Sequence, residues 1–231
     1  MKIGIHMIVK DCASNLQRAI DSIYGFYDDL SIVDTGSTDE TIDIAKRYTK
    51  KVNFWKSKWN HLPILDDFAG ARNLALSKLD KDCDWHMWFD SDDVMSDKKE
   101  FRRELRKALK TKAKMFGCPY AMDYKTAPKI RGWKPDLFYW KYRIHEQIVA
   151  KKLKYREIGY FVKVPIYHLK TTKHGWKESM IRNLYVIEDC LKEEPDNKYY
   201  QRMHVIEWKH YGFYKKAKEL ANKYGLNYNE L

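Results

Sequence analysis

The chain has 231 residues, 44% of them hydrophobic, with 8 Trp, 17 Tyr and 9 Phe. That is enough apolar material for a core in one domain, or in one domain plus an appendage. The net charge of +12 is uneven: residues 1–97 hold 12 Lys/Arg against 17 Asp/Glu, whereas residues 98–231 hold 32 against 15 and carry 14 of the tyrosines. No apolar run approaches the length that spans a bilayer. Cys12, Cys83, Cys118 and Cys190 form no CxxC pair, which argues against a zinc site or a disulfide framework and fits a reducing cytoplasm.

Residues 1–9 are too short for a signal peptide, lack a small-residue cleavage site, and read as a first strand over 3–9. Ser14-x-x-Gln17 has capping-box spacing and opens a helix with Leu16, Ala19, Ile20 and Ile23 on one stripe. A strand over 30–33 is followed by the turn Asp34-Thr35-Gly36-Ser37-Thr38-Asp39, and Ser37-x-x-Glu40 opens a second capped helix. A third strand is expected at 52–55, a helix from Asp66/Asp67 to Leu79, and a strand from Trp85 to Phe89. Strand–helix alternation of this kind predicts a doubly wound α/β sheet, mixed but mainly parallel, with helices on both faces. Ligands sit at the carboxyl ends of strands in such sheets, where Lys10-Asp11, Asp34 and Asp90 to Asp93 fall. Beyond residue 98 a charged helix (98–110) precedes a strand at 114–120. Residues 121–150, with Pro128, Gly132 and Pro135, read as irregular, 160–168 reads as a late strand, and helices are expected at 176–193, 197–211 and 213–224. The organisation expected is a main domain over 1–175, divided near residue 97, and a helical extension over 176–231.

The most telling stretch is Trp88-Phe89-Asp90-Ser91-Asp92-Asp93. An apolar strand ends in three carboxylates within four residues, whose mutual repulsion a divalent cation would relieve. Short Asp side chains offer hard oxygen ligands that suit Mn²⁺ or Mg²⁺. A solvated acidic turn is the alternative for such a motif taken alone.

Three other segments stand in order with it: Met7-Ile8-Val9-Lys10-Asp11, Ile32-Val33-Asp34-Thr35-Gly36-Ser37-Thr38-Asp39-Glu40-Thr41 and Asp66-Asp67-Phe68-Ala69-Gly70-Ala71-Arg72-Asn73. Together they resemble family 2 glycosyltransferases, strongly over about residues 1–95 and more weakly at Arg143-Ile144-His145-Glu146-Gln147, at Tyr167-His168 and in the helical tail. The resemblance implies a GT-A fold and a transferase that moves a sugar from a nucleotide-sugar, a UDP-sugar first among them, to an acceptor, usually with inversion. It places Val9, Lys10, Asp11, Asp34, Arg72, Asp90 and Ser91 at the nucleotide-sugar. Asp90 touches ribose or metal, and Asp92 ligates the metal. Asp93 stands where many relatives have Glu, so the division of roles between Asp92 and Asp93 is open.

Each side chain has a plainer reading as well. Asp34 can accept from a uracil N–H or a ribose hydroxyl, or it can cap its own turn. Arg72 offers a planar fork to the nucleotide or pyrophosphate, or makes a helix-surface salt bridge, while Asn73 orients its loop. Glu146 is the expected general base, with His145 orienting it, binding substrate or taking the proton itself; otherwise the pair is a hydrogen-bonded turn. His168 completes the metal shell or is structural. Trp133 and Trp140 stack on a sugar or base, or pack in the core.

The acceptor is open between protein, glycan, lipid-linked carbohydrate and nucleic acid. The basic, tyrosine-rich second half suits an anionic partner, including a modified DNA base of the phage type or an anionic surface, or else it is a set of solvated lysine-rich faces. Two rivals remain: a nucleotidyltransferase, which would want a Gly/Arg-rich phosphate loop where Lys10-Asp11-Cys12-Ala13-Ser14 stands, and a non-catalytic binding module.

Overall fold

The computed structural model describes residues 1–59, 65–122, 125–152, 159–169 and 176–231. The amino-terminal half alternates as expected: β1 (Ile3–Val9), α1 (Ala13–Ile23), β2 (Asp29–Asp34), α2 (Thr41–Tyr48), β3 (Lys51–Phe54), α3 (Phe68–Ser77) and β4 (Trp85–Trp88). A short β5 (Asp93–Met95) and α4 (Lys98–Leu109) follow. Next come β6 (Met115–Met122), β7 (Lys125–Trp133), β8 (Phe138–Lys141), β9 (Gln147–Ala150), β10 (Gly159–Phe161) and β11 (Ile166–His168). The chain closes with α5 (Trp176–Glu193), α6 (Lys198–His210) and α7 (Tyr214–Tyr224). The boundary expected at residue 175 lies outside the described residues.

Among the described residues, nine strands form one mixed sheet in the order β3-β2-β1-β4-β7-β6-β11-β5, with β10 also on β6, while β8 and β9 pair separately. β1 pairs parallel with β2 and β4; β7 runs antiparallel to both β4 and β6. Strand periodicity sorts the two faces. Ile3, Ile5 and Met7 of β1 pack with Leu16 and Ile20 of α1, Ile44 of α2 and Phe101 and Leu105 of α4. The alternate positions meet α3, where Val33 and Ile8 pack on Ala71 and Ala75. No helix of the described residues is long and apolar enough to cross a membrane.

Several expectations need correction. Neither capping box forms: α1 follows Cys12 and α2 follows Glu40 with no side-chain cap. Instead Thr41 Oγ1 and the Asp39 carboxylate accept from Cys12 N and Ala13 N across the loops, and Ser37 Oγ accepts from Asp11 N. Residues 125–150 are not irregular, since β7, β8 and β9 lie there; residues 123–124 of the segment lie outside the described residues. Pro128 sits opposite Pro119 in the β6–β7 ladder, so neither residue leaves the other waiting for an N–H donor. The late strand divides into β10 and β11, both parallel to β6. Trp133 and Trp140 are 0% and 5% exposed and belong to the core; Trp140 Nε1 donates to His6 Nε2 at 3.0 Å. Gly132 is required by close approach, because a Cβ there would lie 2.4 Å from the Phe116 ring.

Candidate active site

The loops that leave β1 and β2 are stitched together. Lys10 Nζ donates to Gly36 O at 3.2 Å, and the Asp11 carboxylate accepts from Thr38 N at 2.7 Å, with Asp11 itself at φ 42. Val9 O accepts from Thr35 N. Asp34 is buried and its carboxylate accepts from Gly36 N and Ser37 N at 2.9 and 3.1 Å. It therefore caps its own turn. The buried Cys12 thiol accepts from Thr41 Oγ1 at 3.8 Å, with Ser91 beside it.

The Asp66-to-Asn73 segment builds the start of α3. Asp66 accepts from Trp55 Nε1 at 2.7 Å and from Lys58 N at 3.0 Å. Asp67 is the N-cap, accepting from Gly70 N at 2.7 Å. The Trp55 ring leaves no room for a Cβ at Gly70. Asn73 grips β8 at both ends of its amide, to Trp140 O at 2.8 Å and from Trp140 N at 2.9 Å.

One turn after Phe68, Arg72 lies nearly buried and joins two carboxylates. Its Nε donates to Glu146 Oε1 at 2.7 Å and its Nη2 to Asp90 Oδ1 at 3.0 Å. The guanidinium carbon sits 5.2 Å from the Trp88 ring centre and 4.9 Å from that of Trp140. Burial holds the Asp90 carboxyl above its usual range, against the pull of Arg72. The salt bridge thus runs from Arg72 to Glu146 and Asp90, not to Asp67 or another surface neighbour.

Asp92, Asp93 and His168 form a second group, with one ligand-type atom of each within 4.8 Å of the others. Asp90 is not in it. Their meeting follows from the sheet: β5 runs antiparallel to β11 with Asp93 opposite His168. His168 Nδ1 is 3.2 Å from Asp92 Oδ1 and 3.3 Å from Asp93 Oδ1. Burial opposes a charged imidazole, but the two carboxylates override it and raise His168 to about 9.

Asp93 is fully buried and fully engaged. Its Oδ2 accepts from Asp90 N at 3.0 Å and lies 2.9 Å from Arg131 Nη1, and its Oδ1 accepts from Tyr120 OH at 2.9 Å. Burial would raise its pKa, but the Arg131 charge and these hydrogen bonds hold it below the usual range. Asp92 is 30% exposed at its side chain. Of the two, Asp92 is the one with a carboxylate open to solvent.

Arg131 and Tyr120 are absent from the residues expected at the site. The register between β6 and β7 shifts between Phe116 and Gly117, where Gly132 and then Ile130 stand opposite. Arg131 is the extra residue of this bulge, and the bulge turns its side chain inward. Its guanidinium carbon lies 3.8 Å from the Trp88 ring centre and 4.1 Å from that of Tyr120. No periodicity of the sequence signals such a shift.

The segment that carries His145 and Glu146 is held by the carboxyl-terminal helices. Tyr142 stacks on Tyr199 with ring centres 3.5 Å apart. Arg143 N donates to Tyr200 OH at 3.1 Å, and Arg143 Nη2 lies 2.9 Å from Asp189. The His145 ring pairs with buried Glu207, which also accepts from Asn183 Nδ2 at 3.2 Å. Tyr142 and His145 adopt φ of 72 and 52, a conformation that costs energy in non-glycine residues and needs such anchoring. His145 and Glu146 therefore face different partners: Glu207 on α6 for the first and Arg72 on α3 for the second.

With this geometry in place, comparison with known proteins assigns the class. Residues 5–176 match the profile of glycosyl transferase family 2, and the chain belongs to that family. The SPbeta prophage-derived glycosyltransferase SunS of Bacillus subtilis (strain 168) is 22% identical over 205 residues, covering 83% of this chain and 45% of that protein. A TPR repeat-containing protein of Synechococcus elongatus is 33% identical over 94 residues, 41% of this chain and 21% of that one. The chain thus spans less than half the length of these curated relatives. Among solved structures, glucosyl-3-phosphoglycerate synthase from Mycobacterium tuberculosis in complex with Mg²⁺ and UDP superposes with a TM-score of 0.41 at 19% identity, covering 52% of this chain and 43% of that one. That likeness is too partial to bear on the site.

Proposed function

We propose that this chain is a metal-dependent, inverting glycosyltransferase that moves a sugar from a nucleoside-diphosphate sugar, with UDP the nucleotide to test first, to an acceptor hydroxyl. The observation that carries the reading is the placement of the Asp92–Asp93–His168 group beside the Glu146–Arg72–Asp90 chain at the carboxyl ends of the central strands. A divalent ion fits the first group. Asp92 offers an oxygen open to solvent, and His168 carries between two carboxylates a proton whose place a cation can take. Asp92 and His168 would hold Mn²⁺ or Mg²⁺, and Asp93 would orient His168 from its buried position. Bound there, the ion supplies positive charge to a leaving diphosphate.

The protein's own groups account for the rest. Glu146 takes the acceptor proton at one carboxylate oxygen while Arg72 holds the other end of the ion pair in place. Arg72 also fixes Asp90 at the strand end, where it can meet the ribose. Val9, Lys10, Asp11 and Ser91 line the loops on which the nucleoside rests, and Asp34 holds the turn between them. The four cysteines are buried free thiols, which supports work in a reducing cytoplasm.

The test is donor hydrolysis by mass spectrometry with a panel of nucleotide-sugars. Glu146→Gln should still bind UDP but lose turnover by roughly 10²–10⁴-fold, the usual size of a general-base effect. Turnover at the wild-type rate would move the base elsewhere, with His145→Gln next in line. A wild type that releases no sugar from any donor, with or without metal, would contradict the reading.

A further inference from the structure

Three inward-facing arginines are paired with carboxylates, Arg72 with Asp90 and Glu146, Arg131 with Asp93, and Arg143 with Asp189 and Glu193, whereas Arg18 on α1 bonds Asn15 Oδ1 and Leu169 O. Arg182, on α5, differs. Its Nε and Nη2 both donate to the neutral amide oxygen of Asn183, at 3.1 and 2.9 Å. Among the described residues no carboxylate oxygen lies within ion-pair distance of it. Burial depresses its pKa more than Tyr211 and the more distant Glu207 and Glu146 raise it. A partly buried cation without a counter-ion is costly, and the cost is recovered when an anion arrives.

The position of Arg182 says which anion. Its guanidinium carbon lies 5.2 Å from the ring centre of Phe68. Phe68 and Arg72 are four residues apart on α3 and so share a helix face. Arg182 therefore stands one turn from the Glu146–Arg72–Asp90 chain. The Asn183 amide that braces it donates in turn to Glu207, the partner of His145, so the guanidinium is held rather than free to swing. At this end of the sheet the charges of Arg72 and Arg131 are matched by carboxylates, and Lys129 of β7, over the Trp88 and Tyr120 rings, is a further cation beside them on the sheet.

We propose that Arg182 is a nucleotide-binding residue contributed by the carboxyl-terminal helices, and that it donates to the β-phosphate of the nucleoside diphosphate. The proposal rests on the glycosyltransferase reading. It gives the helical extension a part in the donor site: α5 delivers a cation in addition to those of the sheet.

Titration calorimetry with UDP and UMP, both with Mn²⁺, tests it on wild type, Arg182→Gln and Arg182→Lys. Arg182→Gln should weaken UDP roughly ten- to a hundred-fold, the size of a lost charge-assisted contact, and change UMP by less than about threefold. Arg182→Lys, which keeps the charge but loses the fork, should weaken UDP by a smaller factor and leave UMP alone; it decides the matter if the Gln variant does not fold. Unchanged UDP affinity in these variants, or equal losses for UDP and UMP, overturns the assignment while leaving the enzyme reading intact. A wild type that binds neither nucleotide with Mn²⁺ overturns both.

Discussion

Replacing Arg72 by Met should cost about 3–4 kcal/mol of stability at pH 7, because removing one partner of a buried ion pair typically costs about 3–5 kcal/mol. The lower part of that range applies because Glu146 and Asp90 keep 15% and 24% side-chain exposure, so water reaches them once the cation is gone. The methionine stem retains the packing between α3 and the tryptophans, but the contacts of the guanidinium with Trp88 and Trp140 are lost. The deficit should depend on pH in a defined direction. Asp90 is already held above the usual carboxylate range by burial, and Arg72 is the strongest group pulling it down. Without Arg72 the folded-state pKa climbs further above the unfolded value. The folded protein then binds a proton more tightly than the unfolded chain, so the variant recovers stability relative to wild type as pH falls from 7 toward 5. Urea unfolding followed by tryptophan fluorescence at the two pH values measures this. A cost below about 1 kcal/mol at pH 7, the range of exposed pairs, or a cost that grows on acidification, would rule out a buried Arg72 network of this kind.

Two further outcomes follow from named groups. Burial, with Lys216 and Lys223 nearby, holds His204 down at about 4. The unfolded chain takes up that proton near pH 6.5, so stability complete above 6.5 is lost as pH falls toward 4, by up to about 3 kcal/mol at 1.36 kcal/mol per pH unit; Glu188, 3.6 Å from Nε2, offsets part of this. His204→Gln should flatten that part of an acid-unfolding curve, and an unaltered curve would show that His204 is not the group responsible. The excess of 32 Lys/Arg over 15 Asp/Glu in residues 98–231 should give duplex DNA binding that falls steeply with salt, since each phosphate contact releases counter-ions. Anionic vesicles serve as the parallel sample, and binding to neither at low ionic strength returns these lysines to solvated surface.

The amino-terminal half was legible in the sequence because its elements are local. β1, α1, β2, α2 and α3 show their apolar periods directly, and the Asp67 cap lies where the sequence places it. The capping boxes did not form because the contacts run between loops: Ser37 accepts from Asp11 N, and Thr41 and Asp39 accept from Cys12 N and Ala13 N at the start of α1, a competition that nothing local decides. β7 to β9 were missed because Pro128, Gly132 and Pro135 punctuate the segment as a loop does, while an antiparallel partner supplies the ladder from elsewhere. The site divides along the same line. The Asp90-to-Asp93 cluster was visible as a run of charge. Its closure by His168 depends on the pairing of β5 with β11, which are more than 70 residues apart. Arg131 enters through a bulge, and Glu207 reaches His145 only because α6 packs on the β8–β9 connection. Arg72 was marked as a site residue, but its joining of Glu146 to Asp90 is a tertiary fact.

Asp92 and His168 are the proposed ligands of a divalent ion that binds the donor's diphosphate. The measurement that tests this assignment most directly is calorimetric titration of UDP into the wild type and Asp92→Asn, each with Mn²⁺ and with EDTA. Mn²⁺ should tighten UDP at least about tenfold in the wild type, and Asp92→Asn, which keeps the shape and removes the ligand charge, should abolish most of that gain. Equal UDP affinity with and without Mn²⁺ in the wild type would contradict the assignment.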